Sequence, residues 1–194
     1  QAVVDAPRAP TLSLSPRRDI AAMLQTPSLP SIAEVAQPEL KLAGLRINPA
    51  THAASRFSFG NKLWLLNVAD GKERQITGLP QPLSIAGMAW SPDQQYLAFN
   101  QVHAASGANE LWIVDIAAGS ARRLLSDLNT VLGDGYTWLP DSRGLVVDAQ
   151  FGTSVYQLDG RIHAISRDAG FRFDGERFVA DDAPPFTLGD RRNE

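Results

Sequence analysis

The chain has 194 residues, which is enough for one domain with a substantial core. Its formal net charge is −3 and its Lys and Arg residues are scattered, which argues against a nucleic-acid footprint or a basic membrane-binding face. The absence of cysteine excludes disulfides, thiolate metal sites and cysteine nucleophiles. No apolar run approaches the roughly 20 residues that span a bilayer. These properties predict an ordinary globular protein with neither a nucleic-acid nor a membrane partner.

Residues 1–62 form a first segment without internal repetition. A Ser-Pro turn between apolar residues at 11–20 predicts a hairpin, which could belong to a partial blade. Residues 31–36 open with capping-box spacing and predict a short helix. Residues 40–47 alternate apolar and polar side chains and predict a strand.

A repeat of 48 residues follows. Trp-x-Pro-Asp at 90–93 returns at 138–141, and sliding residues 63–99 by 48 produces ten identities in 37 positions. Chance would produce about two at average composition. The identical pairs are Leu63/Leu111, Trp64/Trp112, Ala69/Ala117, Gly71/Gly119, Arg74/Arg122, Gly87/Gly135, Trp90/Trp138, Pro92/Pro140, Asp93/Asp141 and Leu97/Leu145.

Each repeat predicts four short strands joined by Gly-containing and Pro-Asp turns. Four strands in about 48 residues is the size of one β-propeller blade. The sequence therefore predicts an all-β chain that forms a partial, incomplete propeller of four-stranded antiparallel blades, with the short N-terminal helical segment added. We assign blades to residues 63–110 and 111–148, the latter with its last strands reaching about residue 147. Residues 149–194 lose the register and are predicted as divergent β-hairpins with a frayed tail.

The recurring aromatic and turn residues are predicted to be architecture rather than an active site. A large aromatic fills the wedge between neighbouring blades, while proline presets φ and aspartate bonds the backbone of the turn. The blade signature consists of Trp64, Trp90, Pro92, Asp93, Trp112, Trp138, Pro140 and Asp141.

Three strings near the N-terminus are more specific than the repeat. The strings Val3–Pro7, Leu12–Pro16 and Ser28–Pro49 resemble the start of the propeller domain in prolyl oligopeptidase-family serine peptidases. Within that family they are most similar to the bacterial and plastid glutamyl endopeptidase-like branch. The blade motifs at 86–99 and 134–147 agree, so the resemblance covers roughly residues 1–148.

The resemblance implies a propeller that gates substrate access to a C-terminal α/β-hydrolase domain with a Ser-Asp-His triad. It implies peptide hydrolysis, with cleavage after Glu as one expectation. This chain contains no Gly-x-Ser-x-Gly elbow, since residues 152–156 read Gly-Thr-Ser-Val-Tyr. We therefore expect a non-catalytic propeller portion that holds no cofactor and meets a peptide substrate only through a hydrolase domain absent from these residues.

Two arginines are candidates for reading a glutamate side chain. Arg46 lies in the family-like string, and Arg56 stands where the family often has a Ser-Arg pair. Because a guanidinium offers a fork to a carboxylate, we predict that one of the two contacts the substrate, with an ordinary ion pair or an exposed arginine as the alternative. The three histidines, His52, His103 and His163, are far apart and show no triad or metal spacing.

The Pro-Asp turn departs from the family, which has glycine at the next position. Here that position is Gln94 in one repeat and Ser142 in the other. A turn that needs positive φ there would be strained by about 1 kcal/mol for each of these residues.

A stand-alone small propeller that binds a protein or peptide is the alternative function. An incomplete propeller would leave blade edges uncovered, so self-association is also expected. A periplasmic or secreted location is expected from the exported bacterial relatives, with the cytoplasm as the alternative.

Overall fold

A computed structural model describes residues 8–29, 32–49, 51, 53–55, 59–103, 109–126, 128–130, 133–149, 152–158, 162–165, 171–173 and 178–180. Within these ranges the regular secondary structure consists of short strands and one four-residue helix, α1 (Ile32–Val35). The strands are β1 (Thr11–Leu14), β2 (Ile20–Gln25), β3 (Leu40–Leu42), β4 (Leu45–Asn48), β5 (Ala53–Ala54), β6 (Lys62–Asn67), β7 (Glu73–Gln75), β8 (Ile85–Trp90), β9 (Tyr96–Val102), β10 (Asn109–Asp115), β11 (Ser120–Leu125), β12 (Tyr136–Trp138), β13 (Gly144–Ala149), β14 (Gly152–Gln157), β15 (Ile162–Ile165), β16 (Phe171–Phe173) and β17 (Phe178–Ala180).

Twelve of these strands form three four-stranded sheets. The first sheet has the order β1-β2-β6-β7, the second β11-β10-β9-β8, and the third β12-β13-β14-β15. Every pairing within them is antiparallel. The remaining strands form a small sheet, β3-β4-β5, and a hairpin, β16-β17. The prediction of an all-β, partial propeller with four-stranded antiparallel blades and a short helix is thus confirmed.

The sheets are out of phase with the repeat of the sequence. The strands that we assigned to one blade at 63–110 are divided, because β6 and β7 pair with β1 and β2, whereas β8 and β9 pair with β10. The break falls in the β7–β8 connection, where Pro80 and Pro82 lack the N–H groups that a ladder needs. The structural units therefore begin near β1, β8 and β12 rather than at residues 63 and 111.

The first sheet contains a long insertion between two adjacent strands. Residues 26–61 leave after β2 and return at β6, which pairs directly with β2 from Ile20↔Asn67 to Gln25↔Lys62. This insertion carries α1 and the small sheet. The single strand predicted at 40–47 is wrong, because the chain turns at Ala43 and Gly44, whose φ angles are 49° and 87°, to make the β3–β4 hairpin.

The third sheet uses part of the segment that we expected to diverge. The hairpin predicted near residues 154–165 is present as β14 and β15, and it completes the third sheet by pairing β14 with β13. The second expected hairpin is present as β16 and β17. The turns at 159–161 and 174–177 and the tail at 181–194 lie outside the described residues.

The core lies in two layers between successive sheets. Apolar residues of the first and second sheets meet in one layer, and those of the second and third sheets meet in the other. In β10, Val114 faces the first layer while Leu111 and Ile113 face the second. Burial on both faces explains the unbroken apolar runs at 97–99 in β9 and 111–114 in β10, since such a strand has no solvent side. The second sheet is therefore the middle of a stack of three.

Candidate functional site: the turns and cleft between the first two sheets

The same turn follows the first strand of each sheet. In the first sheet Arg18 N–H donates to Ser15 O, in the second Gln94 N–H donates to Ser91 O, and in the third Ser142 N–H donates to Leu139 O. Their donor–acceptor distances are 2.8, 2.9 and 3.0 Å. A further bond closes each turn across five residues, as from Ser91 N–H to Tyr96 O. The two Pro-Asp turns predicted from the repeat thus have a third counterpart at residues 15–20.

Each of these turns holds a non-glycine residue in the left-handed region. The φ angles are 64° at Arg18, 62° at Gln94 and 61° at Ser142. The positive φ that the family's glycine suggested is therefore present, and three L-residues carry the associated strain.

The side chains at two of these strained positions bind the turn of the preceding sheet. Gln94 is buried; its Oε1 accepts from Arg17 N–H at 3.0 Å and its Nε2 donates to Asp19 Oδ1 at 2.7 Å. Ser142 is buried too, and its Oγ accepts from Asp93 N–H at 3.0 Å. A glycine could make none of these bonds. Because Gln94 and Ser142 stand in place of glycine, their side chains connect the turns of the three sheets in a row.

Asp19 is the acidic member of this row. Hydrogen bonds from Ser15 and Gln94 favour its charged form, and they hold the pKa of Asp19 below its usual value against the opposing effect of desolvation. The Arg17 guanidinium adds a smaller electrostatic contribution in the same direction.

The repeated tryptophans of the first strands also connect neighbouring sheets. Trp90 Nε1 donates to Ser13 O at 3.3 Å and lies 3.2 Å from Ser13 Oγ, while Trp138 Nε1 donates to Ala89 O at 3.0 Å. Ser13 and Ala89 occupy equivalent places in β1 and β8. Both indoles therefore donate a hydrogen bond across the boundary between two neighbouring sheets.

Two arginines of the repeat make the complementary connection toward the following sheet. Arg74 donates to the carbonyl of Ile116, and Arg122 donates to the carbonyl of Leu158 at 3.1 Å. Ile116 and Leu158 each follow the third strand of their sheet in chain order. The identity of Arg74 and Arg122 in the repeat was a signal for this contact that the sequence reasoning did not use.

A cleft of about 610 Å³ opens beside these links, between the first and second sheets. Its charged lining is balanced, since it contains two arginines, Arg17 and Arg74, and two aspartates, Asp93 and Asp115. Gln94 and other polar groups alternate in the lining with apolar side chains such as Leu65. The described lining offers hydrogen bonds and charge pairing.

A second charged cluster surrounds Glu110 at the start of β10. This buried carboxylate accepts from Arg123 Nη1 and Trp112 Nε1, both at 2.7 Å, and lies 3.0 Å from His103 Nε2. Burial works to raise the pKa of Glu110, but the hydrogen bonds from Trp112, Arg123 and His103 outweigh it and lower the pKa. The cluster joins β10 and β11 to His103, the residue that follows β9, and it satisfies the buried carboxylate.

Both predicted substrate-binding arginines, Arg46 and Arg56, fall within the inserted residues 26–61 of the sequence. Arg46, in β4, is half-exposed and donates from Nη1 to Glu39 Oε1 at 2.7 Å. Ser55 Oγ donates to the other oxygen of Glu39, also at 2.7 Å. Arg56 and His52 lie outside the described residues, and of His163 only the backbone in β15 is described.

No group of three or more potential metal-ligating side chains occurs in the described ranges. No helix in the same part of the chain is long and apolar enough to cross a membrane.

The sheets, their repeated turns and their linking indoles define the class of the chain: a β-propeller portion built from four-stranded antiparallel blades. Comparison with known proteins confirms the resemblance to glutamyl endopeptidases that the N-terminal strings indicated. It is 42% identical over 102 residues to a protein named probable glutamyl endopeptidase, chloroplastic, from Arabidopsis thaliana. The corresponding protein of Oryza sativa subsp. japonica is 36% identical over 104 residues. These matches cover 50% and 52% of this chain but 11% of each relative.

Among solved structures, the chain is similar to the β-propeller domain of the Trilobed protease from Pyrococcus furiosus. The sequence identity is 13%, the TM-score is 0.48, and the match covers 94% of this chain and 52% of that one. No family model matches the sequence.

Proposed function

We propose that this chain is the non-catalytic propeller portion of a serine-type peptidase. In this proposal it controls the access of peptides to an α/β-hydrolase domain that these 194 residues do not contain. The identity of 42% to a probable glutamyl endopeptidase over half of the chain carries the proposal. The contacts of the repeated residues support the proposal. The repeated Trp, Arg and turn residues form hydrogen bonds between sheets, so their role in these contacts is structural rather than catalytic.

Active-site labelling tests this function in two parts. The purified chain, incubated with a fluorophosphonate serine-hydrolase probe, is expected to remain unlabelled, and labelling at a defined serine would contradict a non-catalytic role. An antibody against the chain, used on extracts of its native cells treated with the same probe, is expected to recover a labelled serine hydrolase. Recovery of the chain without any labelled hydrolase, with heat-treated extract as the background control, would contradict the peptidase association.

The finer proposal is cleavage after Glu, with Arg46 as a residue that reads the glutamate side chain. Arg46 and Ser55 already hold one carboxylate, that of Glu39, between two donors at 2.7 Å. A pair of donors of this geometry is complementary to a carboxylate, and the Arg46 guanidinium adds charge attraction that an amide would not receive. Arg56 remains the second candidate of the prediction.

Paired peptides that differ only by Glu or Gln test the finer proposal on the chain itself. We expect about tenfold tighter binding of the Glu peptide, which is about 1.4 kcal/mol. Arg46→Gln should abolish the difference, and Glu39→Gln should increase the affinity because it removes the internal competitor. Lys41→Gln, a neutralisation at an exposed position of the same small sheet, is the matched control. Equal binding of both peptides would refute Glu reading by Arg46 while leaving the proposed access function untouched.

The alternative function is that of a stand-alone module that binds a peptide. The cleft between the first and second sheets favours it, because about 610 Å³ falls within the usual volume of ligand sites. Arg74→Ala and Asp115→Ala would each weaken a peptide held there. A peptide whose affinity responds to these variants but not to Arg46→Gln would favour this module.

For location, we propose the periplasm or the exterior of a bacterial cell, with the cytoplasm as the alternative. Immunodetection after separation of periplasmic and cytoplasmic fractions distinguishes the two.

A further inference from the structure

An indole and a cation of the second sheet share one carboxylate. Trp112 and Arg123 stand opposite each other in β10 and β11. Glu110 lies two residues before Trp112, on the same face of β10. Its two oxygens accept from Trp112 Nε1 and from Arg123 Nη1, both at 2.7 Å. The carboxylate therefore satisfies two neighbouring donors of the sheet.

The first sheet repeats this arrangement without the carboxylate. Trp64 and Gln75 stand opposite each other in β6 and β7, in the register that Trp112 has with its partner in β11. Two residues before Trp64, at the repeat position of Glu110, the first sheet has Lys62. The Lys62 ammonium lies 5.0 Å from the centroid of the Trp64 ring. A cation therefore stands where the second sheet has its acceptor.

This difference leaves the indole of Trp64 without an acceptor. Trp64 is 7% exposed, and its buried Nε1 has no hydrogen-bond partner within the described residues. Lys62 makes no ion pair with any residue of the same ranges. A buried N–H without an acceptor has a cost in free energy that an acceptor would remove. Because an ammonium and an indole N–H can only donate, the group that satisfies both is an anion.

We propose that Lys62, Trp64 and Gln75 form a binding site for a carboxylate that comes from outside the described residues. One carboxylate oxygen accepts from Trp64 Nε1, as Glu110 does in the second sheet, and the Lys62 ammonium pairs with the charge. Lys62 is exposed and its stem is flexible, so the ammonium can turn from the ring to the ligand. Gln75, exposed opposite Trp64, can donate from its side-chain amide.

This carboxylate has two sources of the same chemistry, an acidic side chain of a protein segment and a small carboxylic acid. Leu12 bears on the choice, because it stands opposite Met23, which in turn stands opposite Trp64, and it is 50% exposed. An acidic residue between apolar neighbours would cover Leu12 while its carboxylate meets Trp64. The site does not depend on the proposed peptidase function, since it rests on contacts within the first two sheets.

The indole signals of the four tryptophans, resolved by two-dimensional proton–nitrogen NMR of the full chain at neutral pH, test the site. Trp64→Phe identifies the Trp64 signal by its loss. Acetate should shift this signal downfield, with saturation and a dissociation constant on the order of 10 mM. Acetamide at the same concentration and chloride at the same ionic strength should not. The Trp112 indole, which already donates to Glu110, should stay in place.

Exchange of Lys62 separates a built site from general charge attraction. Lys62→Gln should weaken acetate binding by at least about threefold, whereas Lys72→Gln makes the same charge change in the β6–β7 turn and should not. Lys62→Glu introduces the carboxylate of the second sheet, so it should shift the Trp64 indole downfield and abolish the response to acetate. The proposal is overturned by a Trp64 signal that moves equally with acetamide, that ignores Lys62→Gln, or that stays in place in Lys62→Glu.

Two capped peptides, acetylated and amidated Leu-Glu-Leu and Leu-Gln-Leu, distinguish the sources of the carboxylate. If a protein segment supplies it, the Glu peptide should bind at least about tenfold more tightly than acetate, and Leu12→Ser should remove the advantage. If a small acid supplies it, the Glu peptide and acetate should bind alike. The Gln peptide should not bind in either case. Arg46→Gln should change none of these responses, and a Trp64 shift that depends on Arg46 would overturn the site.

Discussion

Replacing each left-handed turn residue with glycine separates backbone strain from the bonds between sheets. Arg18, Gln94 and Ser142 have nearly the same φ, 64°, 62° and 61°. Glycine relieves the same strain at all three positions, by about 1 kcal/mol. The positions differ in the bonds that the side chain makes, so any difference in stability between the three variants reports those bonds.

The expected changes form a graded series. Arg18→Gly removes no described side-chain bond and should stabilise the chain by up to about 1 kcal/mol. Ser142→Gly removes one bond, to Asp93 N–H at 3.0 Å, and should be close to neutral because a buried bond is worth about 1 kcal/mol. Gln94→Gly removes two bonds, of 3.0 and 2.7 Å, and should destabilise the chain by about 1 kcal/mol.

Urea unfolding of the three variants and the wild type, at one low protein concentration, measures the series. The low concentration matters because association would add a concentration-dependent contribution to the apparent stability. Equal stabilisation by all three glycines would show that the buried bonds contribute nothing. Destabilisation by Arg18→Gly would show that the turn carries no relievable strain, and either result refutes the reasoning.

Five further substitutions, in three comparisons, test other features of the fold. Trp138→Phe should cost about 1 kcal/mol more than Trp64→Phe, because Trp138 loses an indole bond to a neighbouring sheet, whereas buried Trp64 Nε1 has no hydrogen-bond partner within the described residues; urea unfolding measures both. Gly135→Ala should destabilise by at least about 2 kcal/mol, since φ is 74° and a new Cβ would lie 2.4 Å from a backbone oxygen, while Gly44→Ala has open space and should cost about 1 kcal/mol. Glu110 has a lowered pKa in the folded chain, so its contribution is present above its ordinary value of 4.5 and is lost as pH falls through the lower folded value. The stability difference between wild type and Glu110→Gln should therefore shrink on acidification below 4.5, as unfolding curves recorded at several pH values would reveal.

The sequence contained enough information for the fold class because the repeat carries local signals. The strand-forming runs, the Asn67 and Asp115 turns with their positive-φ glycines, and the Trp-x-Pro-Asp string each predict local geometry, and the structure has all of them. The local signals did not indicate where in the 48-residue repeat each sheet begins. A repeat can be cut at any point, and only the pairing of β2 with β6 across the insertion decides the boundary.

The links between sheets could be foreseen only in part. The indole of Trp90 was predicted to fill a wedge, but the acceptor, Ser13 O, is 77 residues away and belongs to a segment outside the repeat. The role of Gln94 was hidden for a similar reason, since its partners lie in the turn at 15–19. The backbone strain at Gln94 could be inferred from the missing glycine. The hydrogen bonds that offset this strain could not, because they depend on residues in the distant turn at 15–19.

The described residues of the insertion contribute less to the links between sheets than the repeated residues do. The repeated residues link one sheet to the next, and their exchange would weaken the stack before it altered any chemistry. Residues 26–61 interrupt the pairing of two adjacent strands, and they carry Arg46 and several exposed apolar side chains, including Leu40 and Leu42. Insertions on a rigid scaffold are where binding residues concentrate, because they vary without loss of the core. The reading of Glu that we propose for Arg46 would therefore take place on the insertion, with the stacked sheets as its scaffold.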